Sequence, residues 1–280
     1  MIIEEEKREF EPLEQFDSRD GSDSRTSECN QNETEFNLEN WKKENEVEID
    51  SKLIGVVPMP ITEFIELSEM IPDNVFRLVQ KSGYEKPTPI QSVGIPIGLN
   101  GINIVGVSRT GSGKTLSFLI PAIDHIMKKR LEESGQLMNS PTAIVILPTR
   151  ELCQQVQQVA GSFLKPLGLN SVAIYGGADK NRQIRELNRG VDLIVATPGR
   201  LLDLMGRRTE GREFISLEDT TFVTLDEADR MLDMGFESDV REIMSSGSGF
   251  VKLCHFIWCI YYKCSFPCET PKKLMSNVKY

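Results

Sequence analysis

Between residues 102 and 225 the chain repeats one pattern, in which a short apolar run rich in valine and isoleucine is followed by a longer helical candidate. Runs this brief and this uniformly apolar are typical of strands in a parallel sheet that is covered on both faces. Strand alternating with helix predicts an α/β doubly wound domain, whose sites form beyond the carboxyl ends of its strands. The predicted strands are Ile102–Val107, Ala143–Leu147, Val172–Tyr175, Leu193–Ala196 and Phe222–Leu225, and the predicted helices are Lys114–Lys129, Arg150–Leu164, Asn181–Asn188 and Arg200–Met205.

The first predicted strand ends in a glycine-rich turn that opens a helix. Glycines at positions 111 and 113 let successive backbone N–H groups point at phosphate oxygens, and the helix N-terminus behind them favours anions. Lys114 is placed to reach terminal phosphates, and the Thr115 hydroxyl is placed to ligate Mg²⁺. Ser108 replaces the first glycine of the strict phosphate-loop pattern, where a small residue still fits. The predicted nucleotide-binding residues of this turn are Ser108, Arg109, Thr110, Gly111, Ser112, Gly113, Lys114 and Thr115.

The last predicted strand, Phe222–Leu225, leads directly into Asp226 and Glu227. A nucleotide-hydrolysing site needs one acid to hold Mg²⁺ and another to orient and deprotonate the attacking water. Because neighbouring strand residues face opposite sides, the two acids cannot do the same job. An acidic pair at a strand end is by itself also typical of a solvated turn. Beside a phosphate loop, the pair predicts nucleotide hydrolysis.

Three further strands end in short polar motifs, Pro148-Thr149-Arg150, Gly176-Gly177 and Thr197-Pro198-Gly199-Arg200. Threonine hydroxyls, glycines and helix-start N–H groups can bond phosphate oxygens without a large positive field. Each motif alone is also typical of a helix cap or a tight turn. Together with the phosphate loop and the acidic pair, they place five polar motifs at strand ends.

In this order the motifs resemble the DEAD-box family of RNA helicases, over roughly residues 64–244. The resemblance implies a RecA-like P-loop domain with a mostly parallel sheet and helices on both faces. It implies the activity of an ATP-dependent RNA helicase, in which RNA-dependent ATP hydrolysis remodels RNA duplexes. The implied cofactors are ATP and Mg²⁺, and the implied partners are RNA and ribonucleoprotein components.

The resemblance also assigns roles to individual residues. Adenine recognition falls to the segment Gly83–Gln91, in which the Gln91 amide reads the adenine edge, and Phe64 is the upstream aromatic that stacks on the base. Tyr84 and Pro89 belong to the same nucleotide-binding segment. The implied catalytic residues are Lys114, Asp226 and Glu227, and the implied Mg²⁺ ligands are Thr115 and Asp226. The implied contacts to the RNA backbone, largely independent of sequence, are Pro148, Thr149, Arg150, Gly176, Gly177, Thr197, Pro198, Gly199 and Arg200.

The charge of −10 is concentrated in residues 1–50, which hold 17 acidic and 6 basic side chains. With so few apolar residues this leader, taken as residues 1–55, is expected to be largely disordered. The domain itself is taken as residues 56–244, and its charge of −3 over residues 51–244 means that any RNA contact must be built from particular groups. No apolar run reaches the roughly 18 residues of a membrane span. The amino-acid sequences in and around the motifs resemble those of nuclear family members. This favours a nuclear location for the protein, with the cytoplasm as the alternative.

After Met244 the sequence departs from the family pattern. The family implies a Ser-Ala-Thr motif that receives the hydrolysis signal from Asp229, and a second domain that supplies arginines to the γ-phosphate, and neither is found in residues 245–280. That segment is interpreted as an atypical tail rich in cysteine and aromatic residues, the product of altered splicing or gene prediction. We expect it to leave the last strands of the sheet unbuilt, with the Phe256–Tyr262 run as an aggregation hazard.

Three functions remain open on this basis. The chain is part of an RNA-dependent ATPase and helicase, or a truncated and catalytically weak module that binds RNA, nucleotide or a helicase partner, or another P-loop enzyme such as a nucleotide kinase or a DNA helicase. Gln91 and the motif at Pro148–Leu152 count against the third.

Overall fold

The computed structural model describes residues 2–4, 37–51, 57–109, 111–132, 140–207, 213–246 and 254–259, and for 2–4, 50–51 and 254–259 it describes the backbone alone. Short 3-10 helices cover Phe64–Glu69 and Lys165–Leu167. The strands are β1 (Ile2–Glu4), β2 (Asp50–Ser51), β3 (Asn103–Val107), β4 (Ala143–Ile146), β5 (Ser171–Ile174), β6 (Leu193–Ala196), β7 (Phe222–Leu225) and β8 (Cys254–Cys259). The α-helices are α1 (Leu38–Glu44), α2 (Asp73–Lys81), α3 (Pro89–Leu99), α4 (Lys114–Glu132), α5 (Arg150–Leu164), α6 (Lys180–Leu187), α7 (Pro198–Leu204), α8 (Ala228–Asp233) and α9 (Glu237–Ser245).

The described strands form one sheet in the order β2-β1-β3-β8-β7-β4-β6-β5. From β3 to β5 every pairing is parallel, so the carboxyl ends of these strands share one edge of the sheet. β1 runs antiparallel to β3 and parallel to β2. The predicted mostly parallel sheet is therefore confirmed.

Side chains on β4, β6 and β7 alternate between two hydrophobic cores, one on each face of the sheet. Ala143 and Val145 join the first core, which includes residues of α2 to α5, while Ile144 and Ile146 join the second, which includes residues of α6 to α9. Because both faces are buried, every residue of these strands is buried, which explains their continuous apolar runs. Helices on both faces confirm the predicted fold class.

The predicted strands and helices all occur, with ends that shift by no more than a few residues. Helices α1, α2, α3, α8 and α9 are additional, and in α3 Pro89 and Pro96 obscure the helical period in the sequence. α3 is buried almost all round, and Thr88 and Gln91 form a capping box at its start. Among the described residues, no helix combines the length and hydropathy needed to cross a bilayer.

The end of the acidic leader is folded, contrary to the expectation for residues 1–55. α1 begins with a cap by Asn37, and Trp41, Val47 and Ile49 pack against the first core. These three apolar side chains are partly buried against that core. Residues 5–36, where most of the predicted disorder lies, are outside the described residues.

The expectation that the chain beyond Met244 leaves the sheet unbuilt is wrong. β8 lies between β3 and β7 and pairs in parallel with both, so it fills a central position. The apolar run that was interpreted as an aggregation hazard has the composition that a central strand requires. The domain boundaries at 55 and 244 remain predictions, and the tail residues 260–280 lie outside the described residues.

Candidate nucleotide and RNA site

The phosphate loop connects the end of β3 to the start of α4. Gly111 and Gly113 have φ angles of +76° and +83°, which L-residues with a side chain rarely adopt. Lys114 is buried, and its Nζ donates to the carbonyls of Ser108 at 3.0 Å and Arg109 at 3.5 Å. The hydroxyls of Ser108 and Ser112 lie 2.9 Å apart. The loop is therefore folded around its lysine, with half-buried Thr115 next on the helix, while Thr110 lies outside the described residues.

The predicted adenine segment is bonded directly to the phosphate loop. Gln91 Nε2 donates to the Gly113 carbonyl at 3.0 Å, and Gln91 Oε1 accepts from the Thr88 N–H at 3.0 Å. The Thr88 hydroxyl donates to the Ser112 carbonyl at 2.7 Å. A Cβ added at Gly113 would lie 2.4 Å from Gln91 Nε2, so the two segments fit only because this residue is glycine. The Gln91 oxygen and nitrogen each keep one further hydrogen-bonding position, which is free for a ligand. Recognition of the adenine edge by Gln91 remains a prediction.

The two aromatic residues assigned to the base differ in accessibility. Phe64 is 6% exposed and belongs to the first core, whereas Tyr84 is 43% exposed. Their ring centroids lie 6.2 Å apart with the planes tilted by 48°. Pro89, in the same segment, occupies the first turn of α3. Tyr84 is thus the more accessible of the two rings, and the stacking role assigned to Phe64 remains a prediction.

Asp226 stands at the carboxyl end of β7 and is 6% exposed. Burial raises the pKa of its carboxyl group to about 6. The Lys114 ammonium and the hydrogen bond from the Glu227 N–H, 3.0 Å from Asp226 Oδ1, pull this pKa down, and the negative charges of Glu227 and Asp229 raise it. Because β8 pairs in parallel with both β3 and β7, the phosphate loop and the acidic pair follow strands that are one strand apart at the same edge of the sheet. A buried carboxylate with this excess of negative neighbours is suited to a divalent cation.

Glu227 has a left-handed backbone, with φ +55° and ψ +46°, directly before α8. Such a conformation costs a non-glycine residue of order 1–3 kcal/mol and persists where the surrounding structure enforces it. The Glu227 carboxylate is nearly buried, and its Oε2 accepts from Arg230 Nη1 at 3.1 Å. The strained turn and this ion pair fix the side chain that was assigned to the catalytic base.

We expect Asp226→Asn to stabilise the chain by about 1–3 kcal/mol at pH 7.5 in EDTA, since a pKa shift of one unit corresponds to 1.36 kcal/mol. The folded pKa of Asp226 lies above that of the unfolded chain, so the folded state binds the extra proton between about pH 4 and 6. Wild-type stability therefore falls as the pH rises through this window, and the amide variant avoids that loss. Urea denaturation at pH 4.5 and 7.5 measures the difference, which must shrink at the lower pH. Equal stabilities at pH 7.5 would contradict the expectation.

The polar motifs that follow β4 and β5 meet at the same edge of the sheet. Thr149 caps α5 by accepting from the Leu152 N–H at 3.4 Å, and the exposed Arg150 guanidinium lies 5.7 Å from the centre of the Tyr175 ring. A Cβ added at Gly177 would lie 3.7 Å from Arg150 Nη1. Gly176 and Gly177 are exposed, whereas Pro148, two residues after β4, is buried.

The motif after β6 is joined to this group by Gln183 of α6. Arg200 Nη1 donates to Gln183 Oε1 at 3.0 Å and to the Ala178 carbonyl at 3.3 Å, and Gln183 Nε2 donates to the Tyr175 carbonyl at 3.1 Å. Thr197 and Pro198 begin α7, with Gly199 half-buried in its first turn. The structure thus brings the predicted RNA-contacting residues together along the carboxyl edge.

Sequence reasoning missed three residues that organise the site: Tyr175, Gln183 and Arg230. Gln183 is 4% exposed and lies one helical turn before the buried Leu187. A polar residue on the apolar face of a predicted helix was the available signal for Gln183. The roles of Tyr175 and Arg230 depend on contacts that no spacing in the sequence indicates.

The DEAD/DEAH box helicase family matches residues 88–256, so the match extends past Met244 into β8. The chain is 41% identical over 214 residues to ATP-dependent RNA helicase p62 of Drosophila melanogaster, covering 76% of this chain and 28% of that protein. It is 41% identical over 212 residues to DEAD-box ATP-dependent RNA helicase 20 of Arabidopsis thaliana, covering 76% of this chain and 40% of that protein. The chain therefore spans less than half the length of these relatives.

The fold is similar to the crystal structure of the yeast DEAD-box splicing factor Prp28, with a TM-score of 0.71 and 26% sequence identity. The superposition covers 89% of this chain and 54% of the Prp28 chain.

Proposed function

Because the chain belongs to the DEAD/DEAH box helicase family, we propose that it is the ATP-binding, RNA-contacting first lobe of an ATP-dependent RNA helicase. The observation that carries this proposal is the shared edge of the sheet. The phosphate loop, the acidic pair and the motifs after β4, β5 and β6 all lie at the carboxyl ends of parallel strands. A nucleotide and an RNA strand can therefore bind to one rigid surface.

The residues at β3 and β7 suit ATP with Mg²⁺. The positive φ angles of Gly111 and Gly113 let the loop turn tightly enough for backbone N–H groups to face phosphates, and Lys114 can exchange its carbonyl partners for phosphate oxygens. Thr115 and Asp226 are the residues that would hold Mg²⁺, which when bound offsets the negative charge of the phosphates. Glu227 is held by its backbone and by Arg230, in position to orient a water and accept its proton.

RNA binding is supported by the groups along the neighbouring strand ends. The Arg150 guanidinium lies over the Tyr175 ring. Arg200 donates to Gln183, which in turn donates to the Tyr175 carbonyl, so Tyr175 links the two arginines. Hydroxyls, glycines and helix-start N–H groups bond the sugar–phosphate backbone and read little sequence. Contacts to the 2′-OH would favour RNA over DNA.

A nucleotide-binding and turnover assay tests the proposal. We expect the chain to bind a fluorescent ATP analogue in an Mg²⁺-dependent manner, and Lys114→Ala to abolish this binding. With saturating RNA, hydrolysis by the chain alone should be about 10³–10⁵-fold slower than by a two-lobe helicase, because one lobe supplies no arginine finger. Glu227→Gln is the control that retains binding.

Two outcomes would contradict this reading. Absence of nucleotide binding by the wild-type chain would refute the nucleotide site. Turnover equal to that of a two-lobe helicase, and lost in Glu227→Gln, would show that one lobe suffices. Binding of both ligands with negligible turnover is the result expected of the first lobe on its own, and it also fits the second candidate, a weakly catalytic binding module.

A nuclear role in RNA processing, with ribonucleoprotein components as partners, is part of the proposal. It is supported by the similarity to Prp28, which is described as a splicing factor. It is also supported by the amino-acid sequences of the motifs, which resemble those of nuclear family members. The cytoplasm is the alternative, and imaging of the tagged chain distinguishes the two.

A further inference from the structure

Helix α6 and the turn that follows it carry three exposed arginines, which we call the arginine stripe: Arg182 and Arg185 on the helix, and Arg189 in the turn. A spacing of three residues places Arg182 and Arg185 on one face of the helix. Arg189 follows in the turn, where its N–H donates to the Glu186 carbonyl. Gln183 and Leu187 occupy the opposite, buried face. The stripe is about 10 Å long at 1.5 Å per residue, which matches about three 3.4 Å steps of a nucleic-acid strand.

The stripe keeps an excess of positive charge despite two nearby carboxylates. Arg182 Nε lies 3.0 Å from Glu186 Oε1, and Arg185 Nη2 lies 3.9 Å from Asp179 Oδ2. Both arginine side chains are more than 60% exposed, at 74% and 67%, so these pairs contribute little to stability and exchange readily for other anions. Residues 179–189 contain four basic and two acidic side chains, in a body whose total charge is negative.

Helix α6 is fixed to the RNA-contacting edge at its first turns. It begins directly after the loop of Gly176 and Gly177, and Gln183 bonds both Tyr175 and Arg200. Lys180 Nζ also lies 2.8 Å from Asp203 Oδ1 of α7. The stripe therefore starts at the edge where the proposed RNA strand lies and runs away from it along the outside of the domain.

The chemistry of the stripe favours RNA over a protein partner. Arginine offers a planar set of donors that binds phosphate through two hydrogen bonds. Protein interfaces have apolar centres. Among the described residues the exposed large hydrophobic side chains are Met59, Ile65, Tyr84, Leu131 and Met234, and none of these is on α6.

We propose that the arginine stripe binds the phosphates of RNA outside the family's motifs, as an extension of the proposed RNA site. This inference rests on the proposed function, since the RNA strand has to lie along the carboxyl edge of the sheet and leave it at Gly176 and Gly177 to reach the stripe. The stripe reads no sequence, and it lengthens the RNA segment that the lobe holds.

Fluorescence anisotropy with labelled oligouridines of about six and about twenty nucleotides tests the proposal, because only the longer one can occupy both the edge and the stripe. The variant Arg182→Gln, Arg185→Gln, Arg189→Gln removes three charges and keeps good helix formers. We expect about tenfold weaker binding of the long oligonucleotide at low salt, unchanged binding of the short one, and a salt slope smaller by about 2. The matched control, Arg77→Gln, Lys81→Gln, Lys165→Gln, removes three exposed charges from α2 and from the 3-10 helix after α5, which pack on the other face of the sheet.

The outcomes separate the two proposals. Equal losses in the stripe variant and the control, or equal losses for both oligonucleotides, would overturn the role of the stripe and leave the proposed function intact. Failure of the wild-type chain to bind either oligonucleotide would overturn the RNA-contacting function and the stripe together. Unchanged RNA binding with lost binding of a polyglutamate peptide would assign the stripe to an acidic protein instead.

Discussion

Ile257→Pro is expected to destabilise the chain by about 3 kcal/mol or more. This is the cost of a proline inside a helix, where, as in a central strand, the substitution removes a backbone hydrogen bond. Ile257 lies in the middle of β8, where its backbone pairs with Val105 of β3 and Leu225 of β7. Proline has no N–H to donate, so it is confined to edge strands and bulges and is not tolerated in a central strand. Urea denaturation measures the change in the free energy of unfolding.

The effect should extend to nucleotide binding, because β3 and β7 deliver the phosphate loop and the acidic pair on either side of β8. Ile257→Val is the matched control, since it keeps the N–H and the β-branched side chain and is expected to cost about 0.5–1.5 kcal/mol. If the proline variant unfolds at the same urea concentration as the valine variant, β8 does not occupy the centre of the sheet.

Gly113→Ala is expected to lower the free energy of unfolding by about 2–4 kcal/mol, by adding the strain of a positive φ angle to a steric clash. The new Cβ would lie 2.4 Å from Gln91 Nε2, so the loop or the glutamine has to move. Since Gln91 bonds the Gly113 carbonyl, this movement breaks the link between the adenine segment and the phosphate loop. We therefore also expect affinity for a fluorescent ATP analogue to fall by more than about tenfold, which corresponds to 1.4 kcal/mol.

Gly111→Ala is the control that separates the cost of backbone strain from the cost of the steric clash with Gln91. Its φ angle is similar, at +76°, but a Cβ there meets nothing within 4 Å, so only the backbone strain of about 1–2 kcal/mol applies. Adding Gln91→Ala to Gly113→Ala removes the group that the methyl strikes, and the two substitutions should be less harmful together than their sum. Equal destabilisation by Gly111→Ala and Gly113→Ala would show that the contact with Gln91 does not limit the loop.

Much of the site could be read from the sequence because its signals are local. A glycine-rich turn between a strand and a helix fixes the positions of Lys114 and Thr115, and an apolar strand fixes where Asp226 and Glu227 emerge. Since all parallel strands present their carboxyl ends at one edge, motifs found after five strands had to converge. Local patterns could not indicate that Gln91 would bond Gly113, or that Phe64 would be buried and Tyr84 exposed.

The sequence by itself determined the alternation of strands and helices, the phosphate loop, the acidic pair and the family. Only the tertiary structure decided the place of β8, the folding of Trp41 and its neighbours onto the core, and the contacts that Arg230 and Gln183 make. The physical reason is that periodicity and turn chemistry depend on residues close in the chain. The partner of a strand, and the electrostatic environment that raises the pKa of Asp226 to about 6, depend on residues brought together from distant positions.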